Sequence, residues 1–267
     1  EHKPVTYFGH IRPTVERQVI PTTSRENGVG LFGQLGETVD YKLYVQNSFD
    51  AAGLAGSNLR GIRQKGHKNL AEDLAVTGQL RWHPLPGTTL GASGWHGNMG
   101  HGQVFNGATP DVPMTLWDVH ADYERGNWRL RALYTQATID DTLAVSQELT
   151  SANGIGDGEA IGEKLTGWYV EAGYDIMPLL GGPGKQSLYP WARYSALDTQ
   201  ASLAGSVKDA GFTKDPANER TVTELGLHYM PHPQVVVKAE YRDWSSEASA
   251  EAANNQEEYL VGIGYHF

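Results

Sequence analysis

Glu257-Glu-Tyr-Leu-Val-Gly-Ile-Gly-Tyr-His-Phe267 closes the chain, and its alternation decides the fold. Tyr259, Val261, Ile263, Tyr265 and Phe267 fall on one face of an extended strand, and Leu260, Gly262, Gly264 and His266 fall on the other. The first face is apolar and aromatic. The second is mostly small or polar. Chain ends usually fray and seldom finish on large rings. A strand that closes a barrel in a bilayer has reason to do so, because aromatic rings settle at the membrane–water boundary.

The same rhythm runs back through the chain. Twelve strand-like segments are expected, near 3–9, 27–35, 39–48, 72–82, 88–96, 114–124, 127–138, 165–177, 187–197, 220–230, 234–245 and 257–267. Thr115, Trp117, Val119, Ala121 and Tyr123 oppose Leu116, Asp118, His120 and Asp122. Trp168, Val170, Ala172 and Tyr174 oppose Tyr169, Glu171, Gly173 and Asp175. Strict period two over such lengths means β-structure, and the charges sit on one face, which must see water. Short turns at 35–38, 83–87, 124–127, 179–185 and 230–234 alternate with long polar loops near 10–26, 49–71, 97–113, 139–164, 198–219 and 246–256. Short turns on one rim and long loops on the other is the pattern of outer-membrane barrels. The expected fold is all-β, an antiparallel transmembrane β-barrel forming a single domain over 1–267. Segment 3–9 is its first ascending strand, and both ends lie on one rim. A soluble all-β fold such as a jelly roll is the competing architecture.

Composition agrees. The 267 residues are 39% apolar, with a mean hydropathy of −0.44. No apolar run of about 18 residues exists, so a membrane-spanning helix is excluded. A barrel hides its apolar signal in alternation. Absence of cysteine removes disulfides and thiolate metal sites. A net charge of −10 argues against nucleic-acid binding. An export signal is expected to have been removed or to lie outside this sequence.

The inward face carries basic candidates Lys42, Arg81, Arg129, Arg131, Arg193, Lys238 and Arg242, and acidic candidates Asp40, Asp73, Asp118, Asp122, Glu171, Asp175, Glu224 and Glu240. Rings of one sign would select ions. Mixed signs on neighbouring strands instead suggest cross-strand pairs that hold the sheet while wetting the lumen. The loop at 49–71 holds Arg60, Arg63, Lys65, His67 and Lys68. Folded inward it is a positive filter, and folded outward it faces lipopolysaccharide. Trp82, Trp117, Tyr123, Trp128, Tyr134, Trp168, Tyr174, Tyr229, Tyr241, Tyr259, Tyr265 and Phe267 suit interfacial girdles. Gly28, Gly30, Gly33, Gly91 and Gly94 make two strands smooth, for subunit contact or for barrel curvature.

Chemistry of other kinds finds little support. Ser93 and His96 point to opposite faces of a regular strand, so they cannot act as nucleophile and base. His96, His101 and His120 match no zinc spacing. Ile139-Asp-Asp141 and Asn153-Gly-Ile-Gly-Asp157 lack a complete calcium loop. No enzyme activity, metal or cofactor is expected.

Five runs carry a family resemblance: Ile20-Pro-Thr-Thr-Ser-Arg-Glu-Asn-Gly-Val-Gly30, Leu59-Arg-Gly-Ile-Arg-Gln-Lys-Gly66, Gly167-Trp-Tyr-Val-Glu-Ala-Gly-Tyr-Asp175, Val235-Val-Val-Lys-Ala-Glu-Tyr241 and Gly262-Ile-Gly-Tyr-His-Phe267. In that order they resemble the proteobacterial porins related to the phosphate-selective porins O and P. The resemblance implies a trimeric outer-membrane porin for small hydrophilic solutes or anions, about sixteen strands in its longer members, and an arginine ladder. The interleaved acids here depart from such a ladder. A structural or surface-interaction barrel with a plugged lumen, part of a cell-envelope assembly, is the second expectation, and an outer-membrane hydrolase the third.

Overall fold

The computed structural model describes residues 3–67, 69–153, 160–181, 184–248 and 256–266, the side chains of 151–153 excepted. Eleven strands form one antiparallel sheet in chain order. They are β1 (Gly28–Leu35), β2 (Val39–Asn47), β3 (Leu74–Trp82), β4 (Thr88–Asn98), β5 (Pro113–Arg125), β6 (Trp128–Ile139), β7 (Lys164–Tyr174), β8 (Ser187–Ser202), β9 (Glu219–His232), β10 (Val235–Ser246) and β11 (Glu257–Tyr265). Each strand pairs with its sequence neighbour, as tight antiparallel connections allow. The turns between β5 and β6 and between β9 and β10 are two residues each, and Gly126 in the first takes φ +61°, a conformation other residues adopt at a cost.

The sheet is turned inside out relative to a soluble protein. Val29, Tyr259, Val261 and Ile263 on the outer face are 75–81% exposed. Arg193, Glu224 and Glu240 on the inner face are buried. Apolar side chains outside and charged ones inside are what lipid outside and water inside require. The outer aromatic residues pair across strands: Trp117 with Tyr134, Trp128 with Tyr174, Trp168 with Tyr194 and Tyr241 with Tyr259, at centroid separations of 4.8–5.6 Å.

Several expectations are corrected. Residues 3–9 do not form a strand, so eleven strands replace twelve. Residues 4–6 form a 3₁₀ turn and Thr14–Gln18 form the short helix α1. Pro4, Pro13 and Pro21 supply no N–H to a sheet ladder. Phe8, Val15 and Val19 bury completely against the inside of the wall instead. The N-terminal segment therefore climbs through the lumen before β1 descends. The stretch read as an external loop at 10–26 is part of that insert. Because eleven is odd, β1 and β11 run in the same direction, and they are not paired with each other among the described residues. Gly28, Gly30 and Gly91 face inward with Gln46, Tyr44 and His120, not toward a neighbouring subunit. Phe267, Lys68 and positions 154–157 of the Gly/Asp loop lie outside the described residues.

The long connections close one end. The loop between β6 and β7 carries helix α2 (Thr142–Asn153), and the loop between β8 and β9 carries α3 (Gly205–Asp209). An apolar cluster including Val19, Phe49, Leu59, Ile62, Met99, Met114, Ile139, Leu165 and Leu197 fills the space beneath them.

Candidate functional site

The lumen is built from three parts: the inner wall, the N-terminal insert and the loop at 49–71. The insert is anchored near the short-turn rim. The Phe8 ring stacks on Trp191 at 5.7 Å and meets His228 edge-on at 5.4 Å. A Cβ at position 173 would lie 2.4 Å from the Phe8 ring, so only glycine leaves room for it. Lys238 Nζ donates to the Tyr7 and Gly9 carbonyls, each at 2.7 Å. Glu240 accepts from the His10 backbone N–H at 2.6 Å. Higher up, the Tyr169 hydroxyl donates to Glu16 at 2.6 Å.

Beneath the insert runs a belt of alternating charge. Asp122, Arg131, Glu171, Arg193, Glu224, Arg242 and Glu258 are successive cross-strand partners from β5 to β11. Arg131 reaches Asp122 at 2.9 Å. Arg193 donates to Glu171 at 2.9 Å and holds Glu224 with two parallel bonds at 2.5 and 2.8 Å. Arg242 contacts Glu224 at 3.2 Å, Glu240 at 2.6 Å and Glu258 at 3.1 Å. On the far side, Asp40 holds Arg81 at 3.0 Å and His83 at 2.9 Å. Bidentate Arg–carboxylate geometry is the strong form of this contact.

The loop at 49–71 turns inward. Ala51, Leu54, Leu59 and Ile62 are buried. Asp50 N donates to the Ile62 carbonyl and Ala51 N to the Met99 carbonyl, both at 2.9 Å, and Leu59 N donates to the Gln18 carbonyl at 2.8 Å. The loop leaves between β2 and β3, yet Thr199 donates to the Gly56 carbonyl and Arg220 to the Ser57 carbonyl, both at 2.7 Å. It therefore crosses the mouth to β8 and β9. Arg63 is spent on the Thr22 carbonyl and the Thr23 hydroxyl, each at 2.8 Å. Burial lowers the Arg63 pKa, aided by the positive charges of Arg60 and Arg12. Burial pushes the Glu26 carboxyl up, against the hydrogen bond that it accepts from Gln64 N at 3.1 Å. Lys65 is exposed, with φ +60°.

Between the insert and the wall lies a cavity of about 830 Å³. The wall contributes Lys42, Gln79, Arg81, Ser93, Asp118, His120, Asp122, Arg129 and Arg131, and the insert contributes Arg12, Glu16 and Thr22. Arg81, Arg129 and Arg131 thus face open space, as their alternation predicts. Each already holds a carboxylate, Arg129 taking Glu124 at 3.1 Å while its guanidinium lies over the Phe8 and Tyr189 rings. Glu171, Arg193, Lys238 and Arg242 point inward but are buried under the insert, away from the cavity. Arg60, Arg63 and Lys65 belong to the loop and do not line it. Asp73 and Asp175 are not wall residues. Asp73 accepts from His101 N at 2.7 Å, and Asp175 accepts from Met177 N and Leu188 N at 3.0 and 2.9 Å. Ser93 faces the cavity and His96 the outside, where it meets Thr115 at 2.9 Å. Arg12, Glu16 and Arg17 escaped the sequence reading because their segment looked like an external loop. Pro13, Pro21 and the isolated apolar residues between them were the available signal.

No family model matches the chain. An uncharacterized protein of Aquifex aeolicus (strain VF5) is 28% identical over 244 residues, covering 90% of this chain and 53% of that protein. The chain thus spans about half the length of that relative. Among solved structures, Salmonella typhi OmpF in complex with daunomycin superposes with a TM-score of 0.53 at 16% identity, over 86% of this chain and 57% of that one. A loop L8 deletion mutant of OmpT, an outer membrane protein of Vibrio cholerae, gives 0.53 at 12% identity, over 97% and 69%. The outer membrane channel DcaP of Acinetobacter baumannii gives 0.51 at 12% identity, over 91% and 61%. The chain shares the fold of bacterial outer-membrane β-barrels.

Proposed function

We propose that this protein is a passive diffusion porin of the bacterial outer membrane, passing small hydrophilic solutes. The observation that carries this reading is the polar cavity of about 830 Å³ inside a sheet whose outer face is apolar. Water and small polar solutes fit a space lined by Gln, Ser, Thr and charged groups. The low-dielectric wall focuses the field of those charges. Because the wall arginines hold carboxylates, anion preference falls to the remaining cations. Lys42 is exposed to the lumen and has no ion-pair partner among the described residues. No chemical step and no cofactor belong to this function. Lipid and lipopolysaccharide are the partners of the outer face. The homotrimer implied by the family resemblance and a preference for anions over cations are part of the proposal, the first read by sedimentation in detergent and the second by reversal potentials.

The test is reconstitution into planar bilayers. Stepwise ohmic conductance supports the porin. A membrane-inserted protein that gives no steps refutes it and supports the second reading, a structural or surface-interaction barrel. That alternative has its own observation, since the N-terminal insert and the loop at 49–71 fill much of the lumen.

A further inference from the structure

The connection between β7 and β8, residues 175–186, is the longest on the short-turn rim. It is also a held shape. The Asp175 carboxylate accepts from Met177 N at 3.0 Å and from Leu188 N at 2.9 Å, and Ile176 N donates to the Leu188 carbonyl at 2.9 Å. A 3₁₀ turn over Met177–Leu180 follows, and Gly181 ends it at φ +66°. The turn buries Met177 and leaves Leu179 and Leu180 71% and 63% exposed.

Met177 sits on the outer face of the wall. With Leu188, Leu227, Tyr229, Val237 and Ala239 it lines an apolar groove of about 420 Å³. Leu188 and Val237 both pair with Tyr229, and Ala239 pairs with Leu227, so these wall residues share the lipid-facing side. Leu225, the next outward residue along β9, lines a second apolar hollow of about 620 Å³. The outer face is thus hollowed from the rim toward the middle of the wall. The rim end carries a cation. The Tyr229 hydroxyl donates to Gln186 Oε1 at 3.2 Å, which sets Lys185 beside the groove. Lys185 is exposed and forms no ion pair among the described residues. Residues 176–187 contain no acid to compete for it.

Two adjacent leucines held in water are costly. At a membrane boundary they bury in hydrocarbon instead. Tyr174, the residue before the connection, meets Trp128 at 4.8 Å on the outer face, and such rings mark that boundary. An apolar groove that ends there at a free lysine matches a molecule with an oily tail and an anionic head. In the outer-membrane reading the long loops stand at the cell surface, so this rim meets the phospholipid leaflet.

We propose that the β7–β8 connection and the groove beside it seat one anionic glycerophospholipid. One acyl chain lies against Met177, Leu227 and Ala239, Leu179 and Leu180 dip beside it, and Lys185 meets the phosphate. The seat rests on the outer-membrane reading above and not on conduction.

The test is native mass spectrometry of the full chain released from detergent and titrated with phosphatidylglycerol, with phosphatidylcholine in a parallel arm. One phosphatidylglycerol is expected to bind saturably, about fivefold tighter than phosphatidylcholine, the worth of one lysine at an anionic headgroup. Lys185→Gln removes that preference. Ala239→Phe fills the groove and weakens both lipids about tenfold or more, through lost burial of the chain. Leu179→Ser combined with Leu180→Ser weakens both as well. Val45→Phe, on the lipid-facing side of β2, changes neither. Absence of a saturable first lipid overturns the seat, as does full affinity in Ala239→Phe, equal loss in Val45→Phe or a preference that survives Lys185→Gln. Unchanged affinity in the leucine variants overturns it too and assigns that pair to a protein partner. Planar-bilayer recordings separate the two proposals. Lipid binding without conductance sinks the channel and leaves the seat, and conductance without lipid binding does the reverse.

Discussion

Replacing Arg193 by methionine strikes the most heavily bonded point of the lumen. The Arg193 side chain has no exposed surface, and neither has that of its partner Glu224. Three charge-assisted bonds end on it, at 2.5, 2.8 and 2.9 Å. Its guanidinium also lies 5.4 Å above the Trp191 ring. Arg193→Met removes all of these and leaves Glu171 and Glu224 buried and short of positive charge. Breaking a buried pair by removing one partner costs about 3–5 kcal/mol. Glu224 retains Arg242 at 3.2 Å, which argues for the lower half of that range. The unfolding equilibrium should therefore shift by roughly two to three orders of magnitude. Urea unfolding of the protein folded into lipid vesicles, followed by tryptophan fluorescence, reads this directly. Glu171→Leu and Glu224→Leu added to Arg193→Met should recover most of the loss, because a network replaced whole by apolar groups is often neutral. A cost below about 1 kcal/mol for Arg193→Met would refute the reasoning, since exposed pairs are worth that little. It would mean that water reaches this wall beneath the insert.

Phe8→Ala should undock the N-terminal insert, at a cost of about 3–5 kcal/mol to its packing, seen as larger and noisier single-channel currents; unchanged currents would separate the insert from the conduction path. Gly173→Val should act similarly, because its side chain occupies the Phe8 ring position; about 1–3 kcal/mol is the usual cost of such overpacking, read by the same vesicle unfolding. Deletion of residues 3–26 should raise conductance while leaving the protein in the membrane, and a chain that no longer inserts would assign the segment to folding. Glu26 is held above its ordinary value by burial, so its contribution is fully present below the unfolded pKa and lost as pH rises through the higher folded value. Glu26→Gln should remove that pH dependence from protease resistance of the loop at 49–71.

The outer surface was legible in the sequence because lipid imposes one rule on every strand. Trp117, Val119, Ala121 and Tyr123 announce a face by period two alone, and the sheet register places them as that period requires. The inward charges were legible as a set for the same reason, but their pairing was not. Which carboxylate faces Arg193 depends on hairpin lengths around each turn, which alternation does not fix. Asp175 shows the limit at a strand end, where β7 stops at Tyr174 and the next side chain turns back to cap the connection. The insert was illegible in a deeper way. Phe8, Val15 and Val19 bury at irregular intervals against three different strands, and no local period records that arrangement. Likewise the loop at 49–71 reads as polar, yet four apolar residues separated by glycines turn it inward. The bonds that join this loop to the N-terminal insert, Leu59 N to the Gln18 carbonyl and Arg63 to Thr22 and Thr23, span about forty positions and leave no local signal.

The charged belt also disciplines assembly. Sliding any one strand by a single position would turn Arg131, Arg193 or Arg242 toward hydrocarbon, at about 2–4 kcal/mol for each arginine near the midplane. Sliding by two keeps the face but sets Arg193 opposite Val222 or Gly226 in place of Glu224. The single-position error is penalised at every seam from β5 to β11, and the two-position error wherever no second carboxylate stands on the same face, as Glu124 does beside Asp122. The polar interior thereby works as an alignment key, because the native register is the one that pairs the charges of the belt from β5 to β11.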